Sequence, residues 1–153
     1  MRIAMGSDHA GFELKEAVKS KLEADGHEVK DVGTHSAESI DYPPFAAEAA
    51  TLVSTGEAER GVIVCGSGNG VAIVANKVHG IRAVNAHDVA EAEMARRHNN
   101  INVVTLSGAR LEPDEAGQIV DEFLSEEFEG GRHERRVNEI TTVEREVEER
   151  AAS

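Results

Sequence analysis

At 153 residues and a formal net charge of −13, the chain is long enough for one domain with a real core and too acidic to grip a nucleic-acid backbone, which needs clustered Lys and Arg. No window holds the ~20 apolar residues of a membrane span, the N-terminus has no signal-peptide pattern, and a single cysteine cannot form an internal disulfide, which fits a reducing cytoplasm. With no Trp and one Tyr, base stacking at scale is excluded too.

In chain order, Arg2 to Met5 reads as a first strand. Gly6 to Gly11 reads as a loop, and Phe12 to Ala24 as a helix with Leu14, Val18 and Leu22 in steps of four, stopped by Gly26. His27 to Val32 alternates imperfectly as a second strand. A loop from Gly33 to Tyr42 leads to Pro43-Pro44, which suits a helix start, continued to Ser54. Val62 to Cys65 is the third strand, Val71 to Lys77 a short helix, and Ile81 to Val84 the fourth strand. Asp88 can cap a helix running to about His98. Ile101 to Leu106 is the fifth strand, and Pro113 opens a helix ending near Leu124. After Gly130-Gly131, Arg132 to Arg150 is a long charged helix.

Strands that alternate with helices imply a parallel sheet covered on both faces, a three-layer α/β sandwich in one domain spanning 1–153. Ligands of such sheets lie outside the carboxyl ends of the strands. The loops at 6–11, 33–42, 65–70, 85–88 and 107–110 are therefore expected on one rim. The last helix carries Val137, Ile140, Val143 and Val147 in steps of three and four among charges. That stripe suits local packing or, better after a glycine break, a neighbouring subunit. The acidic tail from Glu144 to Arg150 reads as a solubilising face.

The densest chemistry is Cys65-Gly66-Ser67-Gly68-Asn69-Gly70, a strand end, a tight turn and a helix start. Such a turn gathers N–H groups where negative charge is favoured, and a thiol in that field is stabilised as thiolate. A lone strand-end cysteine is otherwise a small buried hydrophobe. The loop is no dinucleotide fingerprint, because Val71 stands where a glycine is needed, and no ATPase phosphate loop, because the lysine is missing. Asp8 either caps the helix at Phe12 or contacts ligand. His98 ends a helix, where its cation is favoured in any case. Arg132 and Arg136, one turn apart, form either a solvated face or an anion clamp. The seven histidines are scattered, with no pair at helical ligand spacing beside a carboxylate, so no metal is expected. A base, an anion hole, a histidine acid and an arginine clamp, several of them expected at one rim, suit proton abstraction beside the carbonyl of a phosphorylated sugar.

Gly6 to Phe12 (GSDHAGF), Asp41-Tyr42-Pro43, Cys65 to Gly70, Ala75-Asn76-Lys77, Gly80 to Ala83, Arg97-His98-Asn99 and Glu129 to His133 together resemble the type B ribose-5-phosphate isomerases, whose fold the galactose-6-phosphate isomerase subunits share. The resemblance covers about residues 1 to 143. It implies a five-stranded Rossmann-like sheet, no metal or other cofactor, and homodimers or dimers of dimers with active sites shared between subunits. The implied partner is a small sugar phosphate, with no nucleic acid and no membrane. Cys65 would move the proton between C2 and C1. The Gly66, Ser67, Gly68, Asn69 and Gly70 loop would hold the enediolate oxygen, and His98 would open the sugar ring. Asp8 would hold sugar hydroxyls or assist ring opening, His9 would lie near phosphate, and Tyr42 and Asn99 would position the sugar. Arg132 and Arg136 would bind phosphate, joined by Arg110 across a segment one residue longer than the family pattern near Ser107-Gly108. Where other members use a glutamate on the loop, this chain has Val71, which places it in the cysteine branch. Ribose 5-phosphate and ribulose 5-phosphate, of the pentose phosphate pathway, are the implied pair. A tetrose 4-phosphate, a hexose 6-phosphate, or a non-catalytic sugar-phosphate or nucleotide-binding module are the alternatives.

Overall fold

Alternation along the central strands decides which side chains face which layer. In the computed structural model, which describes residues 1–153, β1 (Arg2–Ser7), β2 (Glu28–Asp31), β3 (Arg60–Cys65), β4 (Ala83–Asn85) and β5 (Val103–Ser107) form one all-parallel sheet in the order β2-β1-β3-β5-β4. Ile3, Met5, Val62, Val64, Val104 and Leu106 point to one face. They pack there against α1 (Phe12–Ala24), α4 (Val89–Asn99) and α5 (Pro113–Ser125) through Leu14, Val18, Leu22, Ala92, Ile119 and Phe123. Ala4, Ile63, Cys65 and Val103 point to the other face, against α2 (Pro43–Ser54) and α3 (Asn69–Ala75). Each face is fully buried at its centre, and emptying one such site, Phe123, would cost about 3–5 kcal/mol.

The predicted elements all form, with shifted ends. β3 begins at Arg60 rather than Val62, because Gly61 pairs with Val103 and is buried against Val53. β4 is only Ala83–Asn85; Ile81 and Arg82 precede it, and Arg82 N–H is taken by the Asn102 side chain. Helix α3 starts at Asn69 rather than Val71 because Gly68, at φ +80°, turns the chain straight into it. At the start of α1, Asp8 does not act as the N-cap. It closes a tight turn instead, accepting from Gly11 N–H at 3.0 Å, and Gly11 occupies the cap position. Helix α6 (Arg132–Ala152) docks its first turns through His133 and Val137. Farther along, Glu144 accepts from Gly80 N–H at 3.0 Å and Glu148 meets His79 at 3.0 Å. Ile140, Val143 and Val147 stay about half exposed (48, 58 and 60 %), so much of the apolar stripe has no partner within the chain. No helix is long and apolar enough to cross a membrane.

Candidate active site

The carboxyl ends of β1, β3 and β5 carry one cluster. Cys65 closes β3, in register with Ser107 of β5, and is 4 % exposed. Its Sγ accepts from Gly68 N–H at 3.2 Å. The next turn keeps its carbonyls inward. The carbonyls of Cys65, Gly66, Ser67 and Gly68 accept from Gly108 N–H, from Ala109 N–H and the Ser107 hydroxyl, from the Asn85 amide, and from the Thr105 hydroxyl respectively. Outward, the N–H groups of Gly66, Ser67, Gly70 and Val71 have no partner within the chain, while Asn69 N–H goes to Ser67 Oγ at 3.1 Å. Four free donors beside a thiol form a ready anion site.

The neighbouring loops close on this turn. A Cβ at Gly11 would lie 2.5 Å from the Val64 carbonyl oxygen, and one at Gly108 2.7 Å from that of Ala10, so only glycine lets these loops approach. Asp8 is 7 % exposed, and its second oxygen takes no bond within the chain. His9 Nδ1 lies 3.1 Å from both N and O of Ile40, which ties the first loop to the 33–42 loop. The Tyr42 ring lies over Gly70, where a Cβ would come within 2.5 Å of Cζ. Arg110 follows β5 on the same rim and is exposed.

His98, Asn99, Arg132 and Arg136 lie elsewhere. Helix α4 leaves the carboxyl rim at Asp88, whose side chain caps it by accepting from Glu91 N–H at 2.8 Å. It runs back along the sheet for 11 residues, about 16 Å, to His98 and Asn99 near the amino end of β5. Asn100, at φ +47°, ends the helix. Arg96 locks that turn by donating to the Ile101 carbonyl at 2.6 Å and to Asn100 Oδ1 at 2.9 Å; burial and the nearby Arg60 and Arg82 push its pKa down to about 10. His98 is stacked on His133, with ring centroids 4.2 Å apart, and lies 3.5 Å from Glu129. Arg132, Arg136 and Asn99 are exposed on this second cluster. The expected acid and clamp therefore sit at the opposite end of the sheet from the thiol. Arg110 does not join Arg132 and Arg136 within one chain.

Glu129 and His133 also belong to this second cluster, which sequence spacing did not suggest because Gly130-Gly131 separates them ahead of α6. With His98 they form a two-histidine, one-carboxylate set whose ligand atoms lie within 4.8 Å of one another. The rings are nearly parallel, at 7°. One ion cannot lie in both ring planes, so this arrangement does not fit a single metal.

Residues 3–140 match the ribose/galactose isomerase family model. The chain belongs to the ribose/galactose isomerase family. It is 43 % identical over 143 residues to ribose-5-phosphate isomerase B of Escherichia coli, covering 94 % of this chain and 96 % of that protein. The structure of ribose-5-phosphate isomerase B from Clostridium thermocellum superposes with a TM-score of 0.94 at 44 % identity, covering 96 % of this chain and 99 % of the other. That of the Mycoplasma genitalium enzyme with bound ribulose 5-phosphate gives 0.90 at 38 %, covering 95 % and 97 %. The family assignment accounts for the parallel sheet and makes this protein an isomerase.

Proposed function

We propose that this protein interconverts ribose 5-phosphate and ribulose 5-phosphate, in an active site completed by a second copy of the chain. The observation that carries the chemistry is the set of free N–H groups at Gly66, Ser67, Gly70 and Val71 beside the Cys65 sulfur. The relative with bound ribulose 5-phosphate supports the choice of sugar.

As thiolate, Cys65 Sγ removes the proton from C2 of the open-chain aldose. The C–H electrons form the C1–C2 double bond, and charge collects on O1, where the free N–H groups and the Ser67 hydroxyl receive it. Ser67 Oγ already accepts from Asn69 N–H, which leaves its own proton to donate. The proton on sulfur then returns at C1 while the O2 proton passes to O1, giving the ketose. Asp8 holds sugar hydroxyls with its unbonded oxygen, and His9 and Tyr42 border the same space.

Within one chain His98 cannot serve that sugar, since α4 separates the two clusters. A partner copy supplies His98 to open the furanose ring by protonating its oxygen. It also supplies Asn99 to position the sugar and Arg132 and Arg136 to grip the phosphate, with Arg110 of the first chain completing the clamp. The half-exposed Ile140, Val143 and Val147 on α6 provide apolar surface for that partner. No step is assigned to a metal or another cofactor.

The test is an isomerisation assay of chelator-treated enzyme on four-, five- and six-carbon aldose phosphates. The proposal expects the highest kcat/KM for ribose 5-phosphate. A higher value for a tetrose or hexose phosphate would keep the chemistry and replace the sugar. Ligand-induced thermal stabilisation without C2 proton exchange would indicate a binding module instead.

A further inference from the structure

We infer that Asn85, Thr105 and Ser107 are positioning residues for this reaction: by holding three successive carbonyls of the glycine loop inward, they aim its donors at the thiol and the substrate. The inference rests on the isomerase reading above and deepens it. In a trans peptide the carbonyl of one residue and the N–H of the next point in opposite directions. Fixing a carbonyl therefore fixes a donor.

Each tie has its own consequence. Ser107 Oγ donates to the Gly66 carbonyl at 2.7 Å, which turns Ser67 N–H outward, free for an oxyanion. Asn85 Nδ2 donates to the Ser67 carbonyl at 3.1 Å, which turns Gly68 N–H onto the Cys65 sulfur. Thr105 Oγ1 donates to the Gly68 carbonyl at 2.8 Å, which turns Asn69 N–H onto Ser67 Oγ and so orients that hydroxyl.

Burial supports a specific role for Thr105. It is fully buried in β5, in the run Val103-Val104-Thr105-Leu106, where valine would fill nearly the same volume without a hydroxyl to satisfy. Asn85 is held as well, its amide also bonded to Asn69 Oδ1 at 2.8 Å. A Cβ on Gly68 would collide with this side chain, so the loop and the amide are fitted to each other.

The experiment compares Thr105→Val, Thr105→Ser and Asn85→Asp with the wild type. It measures kcat and KM for the best sugar phosphate and the affinity for a phosphorylated aldonohydroxamate, whose charged planar head imitates the enediolate. Thr105→Val and Asn85→Asp are expected to lower kcat about 10- to 100-fold with KM within about threefold, to weaken the mimic in proportion, and Thr105→Ser to recover most of the loss. A purely structural role would lower Tm without separating the mimic from the substrate. Should Thr105→Val fail to fold, the partly exposed Asn85→Asp carries the same comparison. Unchanged kcat and mimic affinity in folded variants of an active enzyme would overturn the inference alone. Absence of turnover in the wild type would overturn the isomerase reading, and this inference with it.

Discussion

The imidazoles of His98 and His133 lie face to face, 4.2 Å between centroids and 7° from parallel, with Glu129 touching both. His133 is the buried member, and its Nε2 has no hydrogen-bond partner. Burial and then the neighbouring His98 push its pKa below the usual histidine value, Arg132 and Arg136 act in the same sense, and Glu129 opposes them. A buried ring thus backs the histidine assigned to ring opening.

This lowered value has a pH consequence. Between the folded pKa of His133 and the ordinary 6.5 the unfolded chain binds more protons, so stability falls as pH drops through that window. His79 acts in the opposite sense. Glu148 and Glu144 raise its pKa, so its contribution is complete below the ordinary value and fades as pH rises through the folded one. Urea midpoints measured across mildly acidic pH should fall less steeply on acidification in His133→Phe, which keeps the stack but cannot titrate. The midpoint of His79→Gln should fall less than that of the wild type as pH is raised.

Asp31 holds a buried cation. Its carboxylate accepts from Lys15 Nζ at 2.6 Å and Lys19 Nζ at 3.2 Å, and the Lys15 side chain is fully buried. Burial raises the Asp31 pKa, but the Lys15 bond and Gly33 N–H outweigh it, and the net shift is downward. Its stabilisation is present above the ordinary carboxylate value and is lost as pH falls through the folded one. Asp31→Asn should cost about 3 kcal/mol in chemical denaturation, because it leaves the buried Lys15 with only the exposed Glu16 carboxylate, at 3.0 Å, as a charged partner. Turnover per folded molecule should fall as well, since Asp31 also accepts from Gly33 N–H at 2.9 Å, at the start of the 33–42 rim loop.

Gly70→Ala should act through Tyr42. Its new methyl would lie 2.7 Å from the phenol oxygen, so the ring must leave the rim. With Tyr42 positioning the sugar, KM should rise about tenfold while Tm moves by only a few degrees. Steady-state kinetics alongside a thermal scan decide between this and a general loss of structure.

Cys65→Ala should remove about 10²- to 10⁴-fold of kcat as the proton carrier is lost. Arg136→Ala should chiefly raise KM, because a phosphate contact is felt in ground and transition states alike. Deuterium washout from C2 of the substrate should disappear with Cys65→Ala and persist at saturating substrate with Arg136→Ala.

Much of the first cluster was legible in the sequence. A β-branched run ending in Cys65 and three glycines within five residues can hardly fold except as strand, turn and helix start, and Asp8, His9 and Tyr42 reach the same rim through the parallel topology. Less legible was the distance between Cys65 and His98. Residue spacing reveals that α4 exists, but only the direction in which it returns along the sheet puts its end at the far side. The pairing of Glu129 with His133 was hidden by the glycine break between them. Thr105 gave no signal at all, because one hydroxyl in a valine-rich strand looks like an ordinary β former until its partner carbonyl is located.

The division of the site between two chains is tested most directly by complementation. Cys65→Ala and His98→Ala chains, each inactive alone, are co-expressed with different tags and the mixed oligomer is isolated. With sites shared across a two-fold axis, each mixed dimer has one intact site and one lacking both groups, so it should recover about half of wild-type turnover. Turnover no higher than that of either parent would show that the thiol and the histidine must work within one chain, and would contradict the shared site.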